Sequence, residues 1–349
     1  MKSYTYYLSS NTSEGYVSFF DEEVKEFKKI IVLKNISSLF KEELFTNLKV
    51  KLLSLDLDFD TILRPGTISE INAIIIPSLS TAVSVFEMYS KEIPLYADVI
   101  DFADKPHFDS DLSCSITDAG NDILLLKNKM YNHLKNAKRI HDDIEKIYIS
   151  NMDFERANNE INTLISNIFN SVRGKKDNAL ITRRFFGTLH PHKNINYIDE
   201  LTSGLEKRIF INGRPGSGKS TCLKKVASVA CENGYNVEKY CCSLDPQSLD
   251  MVIVRELGLC LFDCTEPHKK VPVASGDEEF DIYNLSTNTD VDTVYSDEIM
   301  YNQNMYNIEL KKAKECLYSA FIRERNLDKI LSENNRDELK TRAINMVLP

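Results

Sequence analysis

The residues of this chain best equipped for chemistry are consecutive: Gly213-Arg214-Pro215-Gly216-Ser217-Gly218-Lys219-Ser220-Thr221. Gly, four residues, then Gly-Lys-Ser is the spacing of a loop that wraps the phosphates of a nucleoside triphosphate. Gly213, Gly216 and Gly218 let the backbone turn through conformations a Cβ would obstruct, so that successive N–H groups point inward, those of Pro215's neighbours and Ser217 among them. Lys219 supplies a point charge for the β- and γ-phosphates. Ser220 supplies a hydroxyl for Mg²⁺, and Thr221 opens a helix whose positive end favours anions.

Such a loop works only between a strand and a helix, and the flanks comply. Arg208 to Asn212 reads as a short buried strand. Leu223, Val226, Ala227 and Ala230 then recur at helical spacing until Asn233-Gly234 ends the helix. A neighbouring strand must bring a carboxylate for the metal, and Leu257 to Asp263, apolar up to its last residue, makes Asp263 the expected ligand. Beyond it, Glu266 or His268 is placed to orient water. Asp250 is a further acid that can approach. Asp245, before Pro246, reads as a helix N-cap. Arg255 has proline at its matching place in the first half and is not expected to act.

The chain also repeats itself. Lys28 to Val32 corresponds to Lys207 to Ile211, Tyr6-Tyr7 to Phe185-Phe186, and Ile71 to Ile76 to Leu249 to Val254. Met130-Tyr131-Asn132 corresponds to Met305-Tyr306-Asn307, all at offsets of 175 to 179 in a chain of 349 residues. Constant offset and order indicate tandem duplication. In the first copy, Lys34 to Lys41 has no glycine and cannot form the cradle, so that copy is expected to keep the fold and lack the nucleotide. The expected class is α/β: two tandem P-loop NTPase-like parallel-sheet domains, 1–172 and 181–349, joined by a polar linker at 173–180. Three strands per copy are evident. Each copy carries helical segments, a hairpin at 121–169 and helices at 300–348, whose surfaces offer a site for a protein partner or an oligomer. The acidic tract Ala274 to Asp297 reads as a mobile loop.

Composition excludes other classes. The hydrophobic fraction is 42%, the charged fraction 27% and the net charge -9, which argues against a large nucleic-acid footprint. No stretch approaches a spanning helix, and Met1 to Tyr6 lacks the apolar core of a secretory signal, so no membrane is expected and the cytoplasm is the expected compartment. The cysteines, seven of eight in the second half, lack disulfide or zinc spacing.

The run from Arg208 to His268, with the glycine-rich loop, Asp245-Pro246-Gln247-Ser248-Leu249-Asp250, Leu261-Phe262-Asp263 and Thr265, Pro267-His268, resembles a family of bacterial ATPases built from two tandem P-loop domains. The resemblance implies an Mg²⁺-dependent ATPase, or another NTPase. That family usually carries a P-loop in both copies and a small residue where Glu266 stands. This chain departs from both patterns, which leaves His268 as the candidate for water. Two other readings use the same loop: a small-molecule or nucleotide kinase, and a non-hydrolysing nucleotide-gated scaffold.

Overall fold

A computed structural model describes residues 3–89, 92–102, 110–170, 179–331 and 337–347; most of the expected linker lies outside them. The first half runs β1 (Thr5–Tyr6), β2 (Ser9–Thr12), β3 (Gly15–Ser18), α1 (Phe20–Glu23), β4 (Lys29–Lys34), α2 (Ser38–Ser54), β5 (Asp60–Leu63), β6 (Ile71–Ile76), β7 (Thr81–Val85), β8 (Asp98–Asp101), α3 (Ser110–Ile149) and α4 (Phe154–Phe169). The second runs β9 (Ile181–Arg184), α5 (Ile198–Leu201), β10 (Lys207–Asn212), α6 (Lys219–Glu232), β11 (Val237–Cys241), β12 (Leu249–Val254), β13 (Leu259–Asp263), β14 (Asp277–Asp281), α7 (Ile282–Ser286), α8 (Val291–Val294), α9 (Ser296–Leu331) and α10 (Asp337–Val347). None of the described helices is long and apolar enough to cross a membrane.

The class is α/β, with one six-stranded sheet per half: β1-β5-β6-β7-β4-β8 and β14-β10-β13-β12-β11-β9. Read from opposite ends, the two orders match strand for strand. The sheets are mixed, which corrects the expectation of purely parallel ones: β6 and β12 run antiparallel to both neighbours, while the remaining pairs are parallel. Each reversed strand returns through a tight turn, at Ser80 or Gly258, that takes the left-handed conformation. Register also corrects the alignment of the halves by one residue: Lys29 pairs with Thr81 as Lys207 pairs with Leu259, so the offset along these strands is 178. On the central strands, Ile30 to Leu33 and Ile209 to Ile211 are buried throughout, as strands covered on both faces require.

Three further expectations are corrected. The acidic tract is ordered: β14 lies at the sheet edge because Asp277 meets Arg208 at 2.7 Å and Glu278 meets Lys207 at 2.8 Å, so cross-strand ion pairs replace apolar packing. Asp245 caps no helix; its carboxylate accepts from Gln247 N in a turn. The helical hairpin is not one. The long helix α3 lies along α9 of the other half, through buried Met130, Leu134, Ala313 and Leu317 and a His133 to Glu309 contact of 2.8 Å. Its successor α4 packs Ala157 and Ile161 into the second half's core beside Ile209 and Cys222. Reciprocally, α10 packs Ala343 and Val347 into the first half's core. The halves have exchanged their last helices.

They meet about a local two-fold axis where equivalent residues touch each other. Tyr7 and Phe185 exchange both backbone hydrogen bonds, at 2.9 and 2.8 Å. The Tyr7–Tyr197 ring contact on one side answers the Phe19–Phe185 stack on the other. On the axis, the Arg184 guanidinium lies 4.3 Å over the Tyr6 ring and pairs with Glu23 at 2.6 Å and Glu238 at 3.6 Å. Removing this buried cation leaves Glu23 uncompensated, while Glu238 keeps its pair with Arg255 at 2.7 Å. Arg184→Met should therefore cost about 3–5 kcal/mol and Tyr6→Phe, which loses one hydrogen bond to Asp60, about 1 kcal/mol, read as shifts in the urea unfolding midpoint.

Candidate functional site

The glycine-rich loop connects β10 to α6, as the strand and helix patterns require. Gly216 and Gly218 take φ of 75° and 99°, a region costly for any residue with a Cβ. A Cβ on Gly213 would lie 2.5 Å from Ser217 Oγ. The helix α6 begins without a side-chain cap and without an acid in its first turn. The N–H groups of Gly216, Gly218, Lys219, Ser220 and Thr221 meet no acceptor among the described residues, and the buried Ser217 Oγ has none either. Lys219 folds back over the loop, donating to Arg214 O at 2.9 Å. These are the features of an anion cradle held by its own lysine.

The first half answers the same problem internally. Its β4–α2 connection, Asn35 to Ser37, is shorter and lacks glycine. There Ser37 Oγ accepts from Phe40 N, and the Asp328 carboxylate of α9 accepts from Ser38 N at 2.9 and 3.1 Å. A carboxylate from the other half thus occupies the start of α2, where α6 leaves its amides open.

Two acids stand beside Lys219. Asp263, at the end of β13, lies level with Ile211 of β10. Its carboxylate is 3.6 Å from Lys219 Nζ and is oriented by Thr265, whose hydroxyl donates at 2.6 Å. Asp250 enters from the start of the reversed strand β12, which places it at the same end of the sheet. Burial, then the Asp263 charge, pushes its pKa up to about 7. Ser220 Oγ accepts from Leu249 N at 2.9 Å, tying the loop to β12 with one lone pair to spare. His268 sits behind Asp250, Nε2 to Oδ2 3.8 Å, with its ring edge-on to Phe186. Burial lowers its pKa to about 4, against the opposing pull of Asp263. Glu266 is exposed at the rim. Arg255 is held by Glu238 and stacked on Tyr4, outside this group.

The cover over this loop comes from the other half and has no local signal. The last turns of α3 press on the loop: a Cβ on Gly216 would lie 2.8 Å from Ile149 Cγ1 and 2.9 Å from Glu145 O. Tyr148 donates to Asp292 at 2.6 Å, and Asp292 accepts from Arg214 of the loop at 2.7 Å. On the same stretch, burial lowers the His141 pKa, and the Lys219 charge contributes in the same direction. His141, Asp142 and Glu145 bring ligand atoms within 4.8 Å of one another; among the described residues the cysteines form no such group. Beside Gly213 and Arg214 opens a cavity of about 590 Å³ edged by Asn212, Thr265, Asn284 and Asn288.

Comparison of the chain with protein-family models, with curated proteins and with solved structures gave no match.

Asp250 and His268 give opposite pH dependences. The folded chain keeps the Asp250 proton between about pH 4 and 7, where the unfolded chain has lost it, so this group's contribution to stability falls as pH rises through that window. For His268 the unfolded chain binds a proton below its ordinary 6.5 while the folded chain stays neutral to about 4, so its contribution rises with pH there. Asp250→Asn removes the first slope. Urea unfolding at about pH 4.5 and pH 7.5 should show the variant gaining stability over the parent as pH rises.

Proposed function

We propose that the second half binds a nucleoside triphosphate with Mg²⁺ at Gly213 to Thr221 and hydrolyses it, with the event felt by α3 of the first half. The observation that carries this reading is the set of unpaired amides of Gly216, Gly218, Lys219, Ser220 and Thr221 under Lys219, set against the carboxylate that serves the same end of α2. Unpaired helix N-terminal amides are costly unless an acceptor arrives, and three linked phosphates are acceptors of the right charge and spacing. The resemblance to tandem P-loop ATPases points the same way.

The residues divide the work. Lys219 exchanges its bonds to Gly213 O and Arg214 O for phosphate oxygens, and the amides hold the charge that grows as the terminal phosphate departs. Ser220 and Asp263 fit a hard divalent cation, one hydroxyl and one carboxylate at the mouth of the cradle. A Mg²⁺ ion held by these two side chains would neutralise phosphate charge during transfer. Asp250, protonated below about pH 7, can exchange a proton at the carboxylate edge, and neutral His268 supports it from behind. Anything that resets the loop at Gly216 must move against Ile149 and Glu145, which couples the cradle to α3 and, through it, to α9.

A second reading, phosphoryl transfer to a small acceptor, is favoured by the amide-rich cavity beside Arg214. Phosphate release from ATP and GTP with Mg²⁺, measured with bound nucleotide and with reaction products, separates the possibilities. Lys219→Ala should weaken nucleotide binding by about 10–100-fold, the worth of a hydrogen bond to a charged group, and abolish release. Tight binding without release overturns hydrolysis and leaves a nucleotide-gated scaffold. Unchanged binding by Lys219→Ala overturns the site itself.

A further inference from the structure

The halves differ most in chemistry on the segment after the axis. Residues 9–18 of the first half form the β2–β3 hairpin, with Thr12-Ser13-Glu14-Gly15 at its tip. The equivalent place in the second half holds His190-Pro191-His192-Lys193 in an irregular loop. That loop and α9 wall a cleft of about 640 Å³, whose lining includes His192, Asn194, Tyr306, Lys311 and Tyr318 and, among acids, Glu266 and Glu315. A narrower recess of about 130 Å³ shares Asn194, Tyr306 and Lys314 with the cleft and adds His190, Lys193 and His268.

We propose that this cleft is a second binding site, for a small molecule that carries a phosphate or carboxylate group and seats it in the recess between Lys193 and Lys314.

Charge is the first argument. The recess is lined by Lys193 and Lys314 and by no acid. Neither lysine pairs with a carboxylate among the described residues, although the chain carries 52 acids to 43 bases. Unpaired cations gathered in a concavity of an acidic protein repel one another and focus a positive potential there. Their mutual effect is visible at His190, whose pKa is lowered by burial and then by His192, Lys193 and Lys314.

Hydrogen bonding is the second. His190 Nδ1 accepts from the backbone N–H groups of His192 and Lys193, both at 3.1 Å. That fixes the proton of the neutral ring on Nε2, so His190 is a donor there. His268 Nδ1 is buried in the same wall and has no partner, and a buried polar atom without one is costly. An oxyanion in the recess would meet two ammonium groups and the donors of the histidines and Asn194. The wider part, with Tyr306, Tyr318 and Asn194, suits a polar or ring-bearing body. His268 closes the recess on one side and touches Asp250 on the other, so the occupant would lie one residue away from the acids beside Lys219.

This site is independent of nucleotide binding, and the test keeps them apart. Inorganic phosphate and citrate are titrated by calorimetry into the intact chain, Lys219→Ala, the double variant Lys193→Gln/Lys314→Gln, and Lys193→Arg/Lys314→Arg. At least one anion should bind Lys219→Ala, should bind the glutamine variant about 10-fold or more weakly, and should bind the arginine variant as it binds the parent. Preference for phosphate or for citrate assigns the head group. Absence of binding to Lys219→Ala, or equal binding by the glutamine variant, overturns the proposal.

Discussion

The amides at the start of an α-helix must find an acceptor, and this fold contains the same helix start twice with two different answers. At α2 the acceptor is built in, as the Asp328 carboxylate reaching across from α9. At α6 none is built in: the loop is longer, glycine-bearing and closed over by Lys219. Both solutions depend on the duplication. Only a chain whose second half lies over its first can lend a carboxylate from α9 to α2, and the half that receives none leaves its helix amides open among the described residues. The short, glycine-free connection and Asp328 go together in the first half: the connection makes no glycine-bearing turn, and its helix start is satisfied from within the chain.

The exchange of terminal helices has the same origin. The long helices α3 and α9 run past each other at the axis, so each delivers its successor to the opposite sheet, α4 to the second and α10 to the first. Neither half then has a complete core of its own. Arg184 makes the joint more demanding, because a buried guanidinium tolerates only the geometry in which both Glu23 and Glu238 reach it. The two sheets behave as one folding unit even though each has its own strand order, and strain at one loop has a rigid path to the other through paired helices.

Much of this was legible in the residues, where the signal was local. The strand, the glycine-rich loop and α6 follow from an apolar run, positive-φ positions and helical spacing within Arg208 to Gly234, and Asp263 follows from an apolar strand ending in an acid. The repeat was legible from order and offset, though a Lys-Lys pair set against Lys207-Arg208 slipped it by one residue. Pairings between distant residues were not legible. β14 reads as a polar loop because its partners Lys207 and Arg208 lie about 70 positions away. The reversal of β12 depends on a tight turn at Gly258 that composition does not distinguish from a crossover. α3 and α4 have amphipathic faces, but a face does not name its partner, and the adjacent helix was the natural choice. Asp250 stands in the sequence only as an acid able to approach. Its raised pKa comes from full burial beside a second carboxylate, a property of packing alone.

The half without a cradle is not a passive remnant. Its α3 ends on Gly216, the one position in the loop where a Cβ would strike another element's backbone, at Glu145 O. Its Tyr148 holds Asp292 against Arg214. The last carbonyls of α3 are satisfied within the chain, Lys146 O by Ser150 N, Ile147 O by Asn151 Nδ2, Tyr148 O by Asn151 N and Ile149 O by Met152 N, so the contact with the loop is one of packing. The packing of Ile149 and the Asp292 bridge hold α3 against the loop. With α3 packed along α9, a displacement at Gly216 bears on both halves of the molecule at once, through Ile149 and Glu145 on one side and the paired helices on the other.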